Sequence, residues 1–179
     1  WTKSARGMKY ILVIIDHFSR YCVAIATPDQ KAETIADAFF RFWVMRFGCP
    51  MRVHTDQGAN FESSLFAELC QRCHIQKSRT LAYHPQANGS VERMNRTLIH
   101  LLRTSVFECP QDWDLFLEEV TFAYNTGPHR STGRSPYSIL IRHEARLPCE
   151  LLLGAPKGAD PINEFVAKLT QRSAEIREP

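Results

Sequence analysis

Residues 51–61 read MRVHTDQGANF, and how these positions are read decides the fold. MRVHT has the make-up of a short strand. It runs out at Asp56, and Gly58 two residues later frees the backbone to turn sharply. Phe61, Leu65, Phe66 and Leu69 then recur at helical spacing, and a further short strand is predicted around IQKSR at 75–79. Strand, turn, helix and strand in succession indicate an α/β domain. Asp56 is thereby placed at the carboxyl end of a strand.

Upstream of this stretch, KYILVII at 9–15 is a continuous apolar, β-branched run, the pattern of a strand covered on both faces. DHFSR separates it from a second strand, YCVAIA at 21–26, so the two are predicted to pair as an antiparallel hairpin. In TPDQ at 27–30, Thr27 reads as a helix N-cap, Pro28 as the first helical residue and Gln30 as the partner in a capping box. Ala32, Ile35, Ala36, Phe39, Trp43 and Phe47 continue at helical spacing until Gly48 and Pro50 stop the helix. Phe39, Phe40 and Trp43 are expected in the core.

Downstream, TLAYHPQANGS at 80–90 has no periodicity and carries Pro85, Asn88 and Gly89, which predicts a loop. From Val91 a helix is expected, with Val91, Met94, Leu98, Leu102 and Ser105 in one core-facing stripe. At 100° per residue Glu92, Arg96 and Arg103 share a flank of that stripe, setting an acid beside two bases. Trp113, Leu117, Val120 and Tyr124 mark another inward-facing helix that ends at NTGPH, 125–129. Pro156 and Pro161 then interrupt the chain. Ile162, Phe165, Val166, Leu169 and Ser173 mark a last amphipathic helix. The domain is thus predicted to span 1–154, with 155–179 as linker and helix, and there are no internal repeats.

The 179 residues are 44% hydrophobic and 23% charged, the balance of one globular domain with a core of its own. A net charge of +3 admits an anionic partner such as DNA without requiring one. The chain starts at Trp1 with no leader-like segment, which suggests a piece of a longer polypeptide. Its longest apolar run, Tyr10 to Ile15, is far short of the roughly 20 residues of a membrane span, so no membrane partner is expected. Six cysteines without a secreted-domain spacing point to reduced thiols and an intracellular, not secreted, protein. CQRCH at 70–74 invites a zinc reading, but a closed site needs a second ligand pair, and no matching pair occurs elsewhere in the sequence.

Two acids stand out for chemistry: Asp56, and Glu92 within HPQANGSVERMNRTL at 84–98, with 35 residues between them. In-line chemistry on a phosphodiester calls for charge stabilisation at both the attacking and the leaving oxygen. Two Mg²⁺ ions about 4 Å apart supply it, and such hard cations take carboxylates from separate elements. A strand end and a helix start joined by a loop could converge in that way.

HTDQGANF and YHPQANGSVERMNRTL together resemble the catalytic core of retroviral and long-terminal-repeat retrotransposon integrases. KYILVIIDHFSRY upstream and FAYNTGPHRSTGRSPYSILIRHEARLP downstream extend the resemblance over roughly residues 7–154, and the latter looks most like gypsy-type elements. The resemblance implies an RNase H-like α/β fold, a mixed sheet flanked by helices. It implies a polynucleotidyl transferase that trims the 3′ ends of element DNA and joins them to target DNA, acting with Mg²⁺ or Mn²⁺. The partners it implies are DNA and further copies of the full-length protein, and the setting is the nucleus or a cytoplasmic particle before integration.

Carried over by position, Asp56 and Glu92 are the second and third metal-binding carboxylates. Gln86, Asn88 and Gly89 belong to a loop that positions DNA, and Gln57 and Asn60 contact substrate or support Asp56. His84 is a candidate for contact with DNA or a catalytic water. Lys77, Arg79, Arg96 and Arg103 are candidates for backbone phosphates.

The family's first catalytic aspartate lies on a strand that precedes Tyr10–Ile15, and no residues of this chain match it. That strand would be central, between the hairpin and MRVHT, so its two neighbours are predicted to have open edges and the chain alone to fold poorly and catalyse nothing. Asp16 matches a position that the family often fills with Asp without using it as a ligand, and a turn role is expected for it. Arg142 stands where gypsy-type elements usually carry Gly. An alternative reading is a catalytically inactive, domesticated relative that binds nucleic acid. A transposase of similar carboxylate spacing would leave FAYNTGPHRSTGRSPY unexplained.

Overall fold

The computed structural model describes residues 2–79, 85–106 and 110–146, with the side chains of 79 and 85–90 outside the description. The expected helix within 155–179 lies outside the described residues. The compact unit that holds these elements ends at Glu144.

Strands β1 (Tyr10–Ile15) and β2 (Cys22–Thr27) pair antiparallel, Tyr10 opposite Thr27 and Ile15 opposite Cys22. The hairpin was legible in the sequence, and so was the turn: Asp16 Oδ2 accepts from the Ser19 amide at 2.7 Å and its hydroxyl at 2.6 Å. Side chains alternate along the strands. Leu12, Ile14, Val23 and Ile25 face one core, with Ile35, Phe39, Trp43 and Phe66; Ile11, Val13, Cys22 and Ala24 face another, with Met94, Leu98, Leu102, Trp113 and Leu117. The hairpin is thus the middle layer between two sets of helices.

The first set is α1 (Ala32–Phe39), a π-helical turn (Phe40–Val44), α2 (Met45–Phe47) and α3 (Ser64–Arg72). Thr27 does not cap α1, because it is the last paired residue of β2. Asp29 organises the helix start instead, accepting from the Lys31 amide at 3.0 Å and the Thr34 hydroxyl at 2.6 Å. The π-helical turn buries Trp43 and Val44, and Phe40 is exposed rather than in the core as expected. Strands β3 (Arg52–Thr55) and β4 (Gln76–Arg79) pair in parallel around α3, which is capped by the Ser63 hydroxyl.

The second set is α4 (Pro85–Ser105) and α5 (Trp113–Thr126). Backbone at 85–90, expected as loop, is the first part of α4; residues 80–84 of that stretch are outside the description. Met94, Leu98 and Leu102 are buried, but the stripe closes with Val106, while Ser105 is exposed and donates to the Leu101 carbonyl. After α5 comes the short α6 (Pro136–Ile141), capped by the Ser135 hydroxyl and stopped at Arg142, whose φ of 72° is the left-handed conformation that glycine adopts without cost.

Among the described residues the two pairs of strands are not hydrogen-bonded to one another. A groove of about 750 Å³ runs along all of β1 on one side and all of β3 on the other, floored by Ile35, Phe39, Trp43 and Phe66. It lies where the family resemblance puts the central strand. The open edge also accounts for β1: both its faces are covered, yet of its residues only Leu12 is buried.

Candidate active site

Asp56 follows the last residue of β3 directly and is exposed. One of its carboxylate oxygens accepts from the Gly58 amide at 3.1 Å. Gly58 is packed so closely that a Cβ there would lie 2.7 Å from Asn60 Oδ1 and 3.0 Å from Asp56 Oδ1. Real Cβ atoms do not approach oxygen so closely, so the turn holds the Asp56 and Asn60 side chains over a bare backbone. The Gly58 carbonyl then accepts from Phe61 and Glu62, which leads the chain toward α3.

Glu92 lies on α4, exposed, and lines the groove together with Asp56, Asn60 and Asp16. The sequence separates the two predicted acids by 35 residues and two secondary-structure elements, and the fold returns both to one cleft. Asn95, one helical turn after Glu92, lines the same cleft; its spacing within ERMN was the available signal, and sequence reasoning gave it no role. Asp16 reaches the cleft too, while its Oδ2 is engaged by Ser19.

The remaining candidates divide. Gln57 is exposed beside Asp56. Lys77 is half-buried and its Nζ donates to Glu62 at 3.0 Å, so any phosphate would compete with a carboxylate already in place. Arg96 and Arg103 are exposed on α4, with no ion pair among the described residues. The backbones of Gln86, Asn88 and Gly89 run in the first turns of α4 and that of Arg79 ends β4, with their side chains outside the description. His84 lies outside the described residues altogether.

Asn125, also missed, acts on the scaffold. From α5 its side chain accepts from the Cys22 amide and donates to the Cys22 carbonyl, both at 2.8 Å, sealing the outer edge of β2. Burial pushes the Cys22 thiol up to about 12.

Mg²⁺ and Mn²⁺ prefer oxygen ligands. Asp56 and Glu92 supply two carboxylates from separate elements of one cleft, which fits part of such a site. No group of three metal-capable side chains occurs among the described residues. A third acid on a strand along the groove would complete the set.

Two family models, both described as integrase core domain, match residues 1–85 and 73–136. The chain is 31% identical over 147 residues to the retrovirus-related Pol polyprotein from transposon 412 of Drosophila melanogaster; the match covers 82% of this chain and 12% of that relative. Among solved structures, the HTLV-2 integrase catalytic core domain in complex with magnesium, a trimeric form, superposes with a TM-score of 0.62 at 26% identity, covering 73% of this chain and 83% of that one. The catalytic core domain of BIV integrase gives 0.64 at 25% identity, covering 74% and 85%. With its layered α/β fold and its Asp56–Glu92 cleft, the chain belongs to the retroviral and retrotransposon integrase core family, whose fold is RNase H-like.

Proposed function

We propose that this chain is the larger part of a DNA strand-transferase core that trims the 3′ ends of retroelement DNA and joins them to target DNA. The observation that carries the reading is that Asp56 and Glu92, distant in sequence and on different elements, line one groove. Each would hold Mg²⁺ or Mn²⁺. When bound, the metal supplies charge stabilisation at the phosphodiester oxygens. The Gly58 amide fixes one oxygen of Asp56 and so orients the carboxylate. Arg96 and Arg103, exposed along α4 with Glu92, meet DNA phosphates and make binding fall with salt. Gln57 and Asn60, close to Asp56 in sequence, contact the reacting strand, a part that the family resemblance also gives to His84, Gln86, Asn88 and Gly89.

The third carboxylate rides on a strand seated between β1 and β3. The 179 residues alone therefore bind metal incompletely and do not catalyse transfer. Detection of Mg²⁺-dependent strand transfer by the isolated chain would overturn this. Copies of the longer protein assemble on DNA in the nucleus.

The test is a Mn²⁺-dependent strand-transfer assay on the longer polypeptide that includes the groove strand, with and without Glu92→Gln. Loss of transfer by at least about a hundredfold, with DNA binding retained, is expected for a group that stabilises charge in the transition state. Transfer indifferent to Glu92 would remove the acid from the site. DNA binding without any transfer in the parent protein would favour a domesticated, nucleic-acid-binding relative.

A further inference from the structure

Beyond α5, away from the groove, the chain carries three arginines that the proposed chemistry does not use. α6 packs on α5 through Tyr137, whose ring meets Phe122 edge-on at 6.5 Å, and α5 in turn holds the outer edge of β2, whereas the groove borders β1. The loop before α6 is closed by its own backbone: the His129 amide donates to the Arg134 carbonyl at 2.9 Å, and the Gly133 amide donates to the His129 carbonyl at 2.8 Å. The His129 ring stands edge-on to Tyr124 at 6.0 Å, which ties this loop to α5. After α6 the chain folds back, because the Ser135 hydroxyl donates to Glu144 Oε2 at 2.8 Å. Arg134, next to Ser135, and Arg142, two residues before Glu144, are thereby brought to one surface, with Arg130 in the turn of the same loop.

Two features separate these arginines from an ordinary solvated face. All three are exposed, and among the described residues none of them forms an ion pair; the one acid between Gly127 and Glu144 is Glu144 itself, which Ser135 engages. Arg41 and Arg72, by contrast, pair with Asp37 and Glu68 at 2.8 and 2.6 Å. Arg142 in addition holds φ of 72° and ψ of 8°, a left-handed conformation that costs glycine nothing and costs a residue with a Cβ. Strain kept at an exposed, charged residue that the fold does not pair is a mark of a contact made outside the fold.

We propose that Arg130, Arg134 and Arg142 bind the phosphate backbone of duplex DNA outside the cleft, on a surface separate from Asp56 and Glu92. The choice of DNA as the partner rests on the strand-transferase reading of the cleft. Guanidinium groups without a counter-charge match a row of phosphates, each of which can take two parallel N–H donors. The contact reads no sequence, because it reaches phosphates and not base edges. It is electrostatic, so it weakens as salt rises and counterions compete.

The test follows binding of a fluorescently labelled duplex by anisotropy, over a series of salt concentrations and without divalent metal, on the longer polypeptide that includes the groove strand. Arg130→Gln, Arg134→Gln and Arg142→Gln combined should weaken binding at least about tenfold at low salt and flatten the slope of log K against log salt by about two to three, since each phosphate contact contributes about 0.9. Lys31→Gln, Arg41→Gln and Arg72→Gln combined lower the net charge equally but remove bases already paired with acids, so binding should stay within about twofold of the parent. Arg142→Gly alone removes one charge together with the backbone strain; it should melt no lower than the parent yet lose about one unit of slope. An unchanged slope in the folded arginine variants, or an equal loss in the ion-paired control, would overturn the proposal. Glu92→Gln keeps this surface and the cleft apart. Transfer lost with Glu92 while the arginine variants bind like the parent would remove the surface and leave the cleft reading standing.

Discussion

Strands β1 and β2 are of one length, lie side by side and are built from the same kind of apolar residue, yet they end in opposite situations. Five of the six residues of β2 are buried; in β1 only Leu12 is. The helices cover both faces of both strands, so the difference lies at the edges. At the outer edge of β2, Asn125 reproduces with one side-chain amide the two hydrogen bonds a neighbouring strand would make at Cys22. The outer edge of β1 faces the groove, and among the described residues no strand pairs with it. A sheet edge can therefore be closed by a single buried side chain where a helix passes close, whereas an edge facing a strand-sized cleft keeps its polar groups available for a strand.

The largest effects should come from the closed side. Trp113 is fully buried in the core that backs β2, with its indole N–H donating to the Thr2 carbonyl at 3.1 Å. Trp113→Ala should cost about 3–5 kcal/mol of unfolding free energy, measured by denaturant titration. A loss below about 1 kcal/mol would mean that this core is not what stabilises the hairpin. Asn125→Ala should come next. It leaves the Cys22 amide and carbonyl buried without partners, at about 1–3 kcal/mol for each group, reduced where a water can enter. If the variant is as stable as the parent, water already reaches the edge of β2 and the contrast with β1 disappears.

Much of this arrangement was legible because it is local. The hairpin followed from two apolar runs around a polar turn, and the place of Asp56 from MRVHT ending at Thr55, three residues before Gly58. What failed had competing local signals. Thr27 looked like a cap because a threonine precedes proline, but pairing with Tyr10 holds it in the strand. Asn88 and Gly89 suggested loop, yet a helix of 21 residues absorbs the cost of about 1 kcal/mol for a glycine, and Pro85 fits its first turn. Ser105 was chosen for the stripe where Val106, four residues after Leu102, closes it. The Asn125 clamp could not be read locally, since its partner is 103 residues away. Nor could the meeting of Asp56 and Glu92 in one cleft be derived from spacing alone; the family motif supplied that expectation.

The smallest effect, and the most direct test of the contrast, is amide hydrogen exchange along β1. In an antiparallel pair the residues alternate between those that bond across the pair and those that point their polar groups away. Asp16 donates to the Tyr21 carbonyl at 2.9 Å, while Cys22 turns its amide and carbonyl outward to Asn125. By alternation Leu12 and Ile14 bond to β2, and Ile11, Val13 and Ile15 direct their amides into the groove. The amides of Ile11, Val13 and Ile15 should exchange at least about tenfold faster than those of Leu12 and Ile14, and the outward amide of Cys22 should match the slow set. Equal protection along β1 would mean that its outer edge is already paired. In the longer polypeptide with a strand in the groove, the fast set should slow to the level of its neighbours while Cys22 stays unchanged. That result would locate the added strand on β1 without any measurement of catalysis.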